Sequence, residues 1–481
     1  MPRALVWFRD DLRLDDHLAL EAALAACPEG TVLLHVFDPR VWAPARGLGL
    51  ELPRLGARRA LFWRQAVASL RVEVRSRGGE LVVRVGDPAE VVPEVASSVG
   101  AEAVFAQAHV THDEVRDEGR VREALAASSR RLVLTPGRTL VHIRDLPFAL
   151  EELPDVFTPF RKKVEAKDRF RSPVPAPSRL PAPPPELALG DIPSQEELGS
   201  FEPPEAEAAL LPMVGGEREG RARLESWTFE ARALGTYKET RNGILHADES
   251  SKFSPWLAHG CLSPRRVLEA VRRYEDAYGA NESTYWLIFE LLWRDYFAFL
   301  AAREGSRLFL RSGVGRRDLP FKMDTERFRA WCDGQTGFPF VDAFMRELTA
   351  TGFMSNRGRQ NVASFLAKSL GVDWRWGAAW FEAHLIDYDP ASNWGNWQYA
   401  AGVGTDPRDR IFNVVKQARD YDPGAEFVRT WVPEVRAWAD GRAHEPWLEG
   451  GVPNYPEPII APRFGGPPRR GSAGRGRGRR G

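Results

Sequence analysis

The sequence predicts an α/β protein in two parts, an N-terminal domain on a doubly wound parallel sheet and a C-terminal domain that is all-helical. Short β-rich runs alternate with helical patterns up to about residue 135, a proline-rich stretch follows, and helical periodicity then dominates to about residue 440. The 481 residues fit two domains and a connector, although length alone would allow about three units. Hydrophobic residues at 43% and charged residues at 27% provide for large cores, which excludes a chain disordered throughout. No apolar run reaches the roughly 18 residues of a membrane span, and the opening MPRALVWFRDD turns acidic where a signal peptide would stay apolar. The expected location is the cytoplasm, with no membrane partner.

The first domain, 1–135, takes its strands from ALVWF (4–8), TVLLHVF (31–37), ELVVRV (80–85), EAVFA (102–106) and RLVLT (131–135). Their continuous apolar character suits a sheet covered on both faces, and Arg58 to Ser76 and Asp113 to Ala127 supply helices to cover it. The turn after the first strand, RDDLRLDDH, has no G-x-G-x-x-G, so a nucleotide held in the usual dinucleotide manner is not expected there. Periodicity weakens over 136–212, and PVPAPSRLPAPPPE (173–186) is too rich in proline for a helix or a central strand. This span reads as a stiff inter-domain connector. The helical domain, 213–460, shows start signals at Ser263-Pro264 and at Ser392 before NWGNWQYA. The Gly/Arg-rich tail, 461–481, has nothing apolar with which to fold and is expected to be disordered.

Cys27, Cys261 and Cys332 lie far apart, which allows neither a disulfide framework nor a local zinc site. The formal charge of zero hides an asymmetry: the last segment from Arg463 holds seven arginines and no acid, leaving −7 on the remainder. Tryptophan is abundant, with 16 against 9 tyrosines, and Trp374, Trp376, Trp380, Trp394 and Trp397 crowd one stretch. Indoles suit a core, a nucleobase platform or an electron path, and composition does not choose among them.

Three segments could carry chemistry. In TRNGILHADESSKFSPWLAHGCLSPR (240–265), Ser250, Ser251 and Ser254 precede a helix with Lys252 among them. Hydroxyls and free N–H groups with a nearby cation can hold a phosphate, and ordinary helix capping is the plainer alternative. In FELLWRDYFAF, Glu290, Trp293, Arg294 and Phe297 share a helical face, which suits a polar pocket floor or an internal ion pair. The richest region runs from 336 to 408: Asn356, Arg357, Arg359 and Gln360 open one helix, while Asp387 and Asp389 precede another on which Asn393 and Trp397 lie one turn apart. The acidic pair lacks a third ligand, so no metal is expected.

These segments, with WFRDDLRLDDH at the start and the Gly/Arg tail, resemble the photolyase/cryptochrome family, and within it the cryptochromes of the DASH type. The resemblance covers essentially the whole chain. It implies an α/β antenna domain and a helical domain holding FAD in a folded conformation. Tyr237, Ser250, Ser251 and Ser254 would contact its phosphates; Asn356 belongs to the cofactor set as well, Arg359 would pair with Asp387 near the flavin, and Asp389 would meet the polar edge of its ring. Asn393 would face the flavin N5, where an amide, lacking the labile proton of a carboxylic acid, favours the anionic reduced flavin.

The resemblance further implies blue-light-driven electron transfer from reduced FAD to a cyclobutane pyrimidine dimer, with Glu290, Asn393, Trp397 and Trp374 as the working residues. Glu290, Trp293, Asn356 and Arg357 would contact the dimer and Arg241 the DNA backbone. Gln360 and Tyr399 stand where ordinary dimer photolyases carry Met and Trp, and the weaker wedge implies single-stranded DNA as the preferred substrate. Glu114 matches a carboxylate that contacts a methenyltetrahydrofolate antenna. Trp397 and Trp374 match the inner members of an electron relay, but Phe321 occupies its outer position, so that relay is either interrupted or completed by Trp376 or Trp380. The expected protein is a monomer acting on DNA, with RNA a further partner for the Gly/Arg tail. A photoreceptor or nucleic-acid-binding regulator with little repair activity is the competing class, and a flavin-free nucleic-acid-binding protein is disfavoured by the FAD motifs.

Overall fold

The computed structural model describes residues 3–44, 47–49, 51–406, 411–438 and 440–462. The tail expected to be disordered lies, from Arg463 onward, outside these residues. Strands β1 (Arg3–Phe8), β2 (Thr31–Phe37), β3 (Leu81–Val85), β4 (Ala101–Gln107) and β5 (Arg131–Thr135) form one sheet in the order β3-β2-β1-β4-β5. Every pairing is parallel, with Val6 opposite both Leu33 and Phe105. Helices α1 (Leu18–Ala26), α2 (Ala57–Ser76), α3 (Pro88–Ser98) and α4 (His112–Ala126) make the crossovers.

The strands are apolar throughout because both faces are buried. Leu5, Trp7, Val32, Leu34 and Val104 pack with Val92 and Val95 of α3 and Val121 and Leu125 of α4. Ala4, Val6, Phe8, Leu33 and Phe105 point the other way, into a core that continues through α2 into the helical domain. Burying one such large side chain contributes roughly 1.5–3 kcal/mol.

The span 136–212 is more than a connector. It contains helix α5 (Phe157–Lys167), whose Phe157, Phe160 and Val164 are buried in the shared core. Its later part runs beside the edge strand: Val83 N donates to Leu189 O at 2.7 Å, and Leu180 N to Arg77 O at 2.9 Å. Proline lacks an N–H and cannot extend a sheet, so this segment covers the β3 edge rather than lengthening the sheet.

The second domain comprises α6 (Glu217–Glu225), α7 (Tyr237–Thr240), α8 (Ser254–Ala258), α9 (Pro264–Tyr278), α10 (Glu282–Glu304), α11 (Thr325–Cys332), α12 (Pro339–Thr351), α13 (Asn356–Ser364), α14 (Trp374–His384), α15 (Pro390–Ala401), α16 (Val414–Tyr421) and α17 (Glu426–Trp431). Ser263 caps α9 as expected, accepting from Arg265 N. Helix α15 starts earlier than Ser392: Asp389 is its cap and Pro390 lies in its first turn. A carboxylate followed by proline is a complete start signal, which places Ser392 inside the helix.

The acidic turn after β1 docks the two domains. Glu217 accepts from Leu14 N at 2.7 Å, Arg265 pairs with Asp16 at 2.8 Å with both side chains buried, and Arg266 pairs with Asp15 at 2.6 Å. Where a dinucleotide-binding turn would use glycine to approach phosphate, this turn uses carboxylates and backbone N–H groups to hold the helical domain. No helix among the described residues is long and apolar enough to cross a membrane.

Candidate functional site

A cavity of about 550 Å³ opens in the helical domain, within the size range of pockets that bury a small ligand. Its lining draws on α7, the 250–254 loop, α10, α13 and α15, segments remote in sequence. Among the expected cofactor residues Tyr237, Ser250, Ser251, Ser254, Asn356, Arg359, Asp387, Asp389 and Asn393 all line it. So do the expected substrate residues Arg241, Glu290, Trp293, Gln360 and Tyr399, together with Trp397.

In the interior, Arg359 meets Asp387 at 2.7 Å, and Asp387 Oδ1 is buried without a partner in the protein. Asn393 Nδ2 donates to Ala378 O at 3.0 Å, which fixes the amide and leaves Oδ1 its uncommitted end. Asp389 caps α15 through Ser392 N and pairs with Arg138 at 2.8 Å. Burial works to raise its pKa, but Arg138 and Arg294 outweigh it and hold the carboxyl below the usual range. Trp397 Nε1 is a second buried polar atom without a protein partner. Unpaired buried acceptors and donors around one enclosed space fit a polar organic cofactor, since each would otherwise cost roughly 1–3 kcal/mol.

Lys252 does not offer its ammonium to the cavity as the sequence reading implies. Its Nζ donates to Ala247 O at 2.9 Å and His246 O at 3.2 Å, and burial lowers it to about 8. Helix α8 behind the serines is only five residues long. The loop's hydroxyls and amides, rather than a helix start with a cation, make up this wall.

At the mouth, Glu290 pairs with Arg241 at 2.6 Å and accepts from Trp286 Nε1 at 3.2 Å. Burial moves the Glu290 carboxyl above its ordinary range, with Arg241 opposing. Arg294, on the same helical face, is not the partner of Glu290: it donates to Arg138 O at 2.5 Å and Leu257 O at 3.2 Å. Arg357 lies outside the lining, donating to Asn242 Oδ1 at 2.9 Å with its guanidinium 4.5 Å from the Tyr421 ring. Trp293 has its ring stacked on Phe157, centroids 3.7 Å apart and planes 13° apart, and meets Tyr399 edge-on at 5.8 Å. Tyr399 hydroxyl lies 3.1 Å from Thr405 Oγ1.

The aromatic surroundings of Trp397 depart from a simple line. Trp397 meets Phe381 at 5.1 Å and Trp331 at 6.1 Å, and a Cβ on Gly377 would overlap its ring. Trp374, buried behind the lining, packs on Trp394 at 5.7 Å and donates to Arg311 O at 3.0 Å. Phe321 lies beyond, with its ring 6.0 Å from the Arg311 guanidinium. Trp376 and Trp380 each contact Phe328, which stacks on Trp331.

Glu114 is not the solvated helix carboxylate that its position suggests. It is half-buried with Oε2 unpaired, and burial raises its carboxyl above the ordinary range. Sequence reading missed Phe157, Arg138 and Trp331. The first two come from the span read as connector, and Trp331 stands alone in a segment without a pattern.

Residues 286–463 match a family described as the FAD binding domain of DNA photolyase, and residues 4–182 one described as DNA photolyase. A cryptochrome DASH of Natronomonas pharaonis is 50% identical over 471 residues, covering 96% of this chain and 98% of that protein. Its counterpart from Gloeobacter violaceus is 50% identical over 468 residues, covering 95% and 92%. Among solved structures, a Synechocystis cryptochrome superposes with a TM-score of 0.92 at 44% identity, covering 96% of this chain and 97% of that one. A class III photolyase from Agrobacterium tumefaciens gives 0.82 at 28% identity, with 96% and 95% covered.

Proposed function

The chain belongs to the photolyase/cryptochrome family, matching DASH cryptochromes over nearly its whole length, and from that premise we propose that it repairs cyclobutane pyrimidine dimers in single-stranded DNA. The observation that carries this reading is that the FAD-type residues and every dimer-type residue except Arg357 line one continuous cavity. Reduced FAD, when bound and excited by blue light, supplies the electron that opens the dimer ring and accepts it back. Tyr237, Ser250, Ser251 and Ser254 would hold its phosphates, with Asn356 in the same lining. Arg359 and Asp387 would hold the flavin, Asp389 would supply a carboxylate to its polar groups, and Asn393 would present an amide that cannot give up a proton there.

At the mouth Trp293, backed by Phe157, offers a rigid face for a flipped base. Glu290, Arg241 and Asn356 surround the lesion and its backbone, and Arg357 joins them from outside the cavity lining. Gln360 and Tyr399 provide less wedge than Met and Trp, so the cost of unstacking a duplex is left uncompensated while a single strand incurs none. Glu114, with its unpaired buried oxygen, would be the contact for a methenyltetrahydrofolate antenna. The protein acts in the cytoplasm as a monomer, and its arginine-rich tail, outside the described residues, adds nonspecific affinity for DNA or RNA. The test is illumination of the reduced protein with dimer-containing single-stranded, bubble and duplex DNA, measuring dimer loss. Fast repair of single strands and bubbles is expected; equal repair of intact duplex would reject the preference, and no repair of any substrate would favour a photoreceptor.

A further inference from the structure

We propose that Arg223 is the positioning residue of the phosphate-recognition loop, acting with Trp227 and Lys252 by drawing the loop's carbonyls away from the cavity. The proposal rests on the reading of that cavity as an FAD site. Arg223 sits on α6, outside the cavity lining, with its side chain 8% exposed. Its guanidinium donates from Nε to Ser251 O at 3.0 Å and from one terminal nitrogen to Ala247 O at 3.0 Å and Ser250 O at 3.2 Å. The other terminal nitrogen reaches the Asp248 carboxylate at 2.8 Å. Trp227 Nε1 takes Asp248 O at 3.0 Å, and Lys252 Nζ takes the carbonyls of Ala247 and His246. Three buried side chains thus account for the carbonyls of His246, Ala247, Asp248, Ser250 and Ser251.

The consequence follows from the geometry of the peptide. A carbonyl and the N–H of the next residue point in nearly opposite directions, so a loop whose carbonyls are held on one side shows its amides on the other. Lys252 has φ +52° and Phe253 is right-handed helical at φ −74°, ψ −12°, a turn of handedness that brings successive N–H groups to face one concavity. Ser250, Ser251 and Ser254 add hydroxyls to the same wall. A diphosphate needs a surface of donors with no competing acceptor, because a carbonyl dipole turned toward it would repel both charges. The fork of one arginine can hold three carbonyls and a carboxylate at once, which a lysine cannot.

The test separates this role from plain support of the fold. The full chain is stripped of flavin and reconstituted with FAD, with ADP, or with riboflavin, which lacks the diphosphate. Arg223→Met should weaken FAD and ADP roughly tenfold or more while riboflavin affinity changes by less than about twofold, and Arg223→Lys should fall between. Should Arg223→Met not yield folded protein, Arg223→Lys and Trp227→Phe supply the comparison, each losing donors to the loop while keeping a side chain in place. A parallel loss for FAD and riboflavin, or no loss for either, would overturn the proposal. Wild-type protein that takes riboflavin as tightly as FAD would reject the cavity reading itself, and the proposal with it, before any variant is compared.

Discussion

Arg359 and Asp387 meet in the interior of the cavity at 2.7 Å, with Asp387 2% exposed, whereas Arg241 and Glu290 meet at its mouth at 2.6 Å, 23% and 30% exposed. The two pairs are within 0.1 Å of each other in length and opposite in consequence. The arginines are similarly part-exposed, at 25% and 23%, and the difference lies in the carboxylates: Asp387 is sealed from water, so its pairing is hard to replace, while part-exposed Glu290 is more screened and more readily satisfied elsewhere. The interior is therefore suited to keep what it binds, and the mouth to exchange its internal bonds for those of a visiting ligand. Burial raises the Glu290 carboxyl while Arg241 opposes, which makes the mouth pair sensitive to pH.

The strongest way to break this comparison is to remove one member of each pair and measure flavin retention. Asp387→Ala is expected to weaken FAD binding by roughly 10²-fold, the cost of an unpaired buried cation reduced for the partial exposure of Arg359. Arg359→Ala should act in the same direction, and Arg241→Met should leave flavin occupancy unchanged. Similar loss from Asp387→Ala and Arg241→Met would erase the distinction between the two ends.

Next in size is the effect of Trp397, on the interior side of the cavity. Trp397→Phe should bring light-driven reduction of bound oxidised flavin close to zero, because a phenyl ring is much harder to oxidise than an indole. Repair by chemically prereduced protein should survive, since that electron leaves toward the mouth. Phe321→Trp should raise the photoreduction yield; if it does not, and Trp376→Phe or Trp380→Phe lowers the yield, the path runs through those indoles instead.

At the mouth, affinity for dimer-containing single-stranded DNA should rise as pH falls through the raised titration range of Glu290. The carboxyl is then neutral, Arg241 is released to phosphate, and one negative charge leaves the DNA surface. Glu290→Gln should flatten that dependence and bind several-fold tighter at high pH, roughly the worth of one partly screened charge. An unchanged pH profile in the variant would remove Glu290 from this role.

The smallest effect is expected from Phe157→Leu, which removes the ring stacked behind Trp293 while keeping an apolar side chain there. Loss of an aromatic pair of about 0.5–1.5 kcal/mol should weaken dimer affinity by about twofold to thirteenfold, with flavin occupancy untouched. Unaltered affinity for dimer-containing DNA would mean that Trp293 needs no support from α5.

Much of this architecture is written locally. The runs TVLLHVF and RLVLT coincide with β2 and β5, and Ser263-Pro264 starts α9, because apolar period and capping chemistry act over a few neighbouring residues. The serines at 250, 251 and 254 and the carboxylate at 387 could likewise be singled out from their own segments, and all four line the cavity. Local pattern is also what misled at 136–212, where proline content hid a helix whose phenylalanines reach the shared core.

What only the tertiary structure decided is which distant groups meet. Nothing near Arg223 in the chain marks it as the holder of the 247–251 carbonyls, and nothing near Phe157 marks it as the backing of Trp293. Lys252 illustrates the difference within one residue: its sequence neighbours present it as a cation for phosphate, yet its ammonium is taken by two carbonyls. The sequence by itself determined the elements and the residue types available to the site, through preferences that each segment carries alone. Partner choice was left to the fold, because a buried donor takes whichever acceptor the packed chain brings within about 3 Å, and that acceptor comes from another part of the sequence.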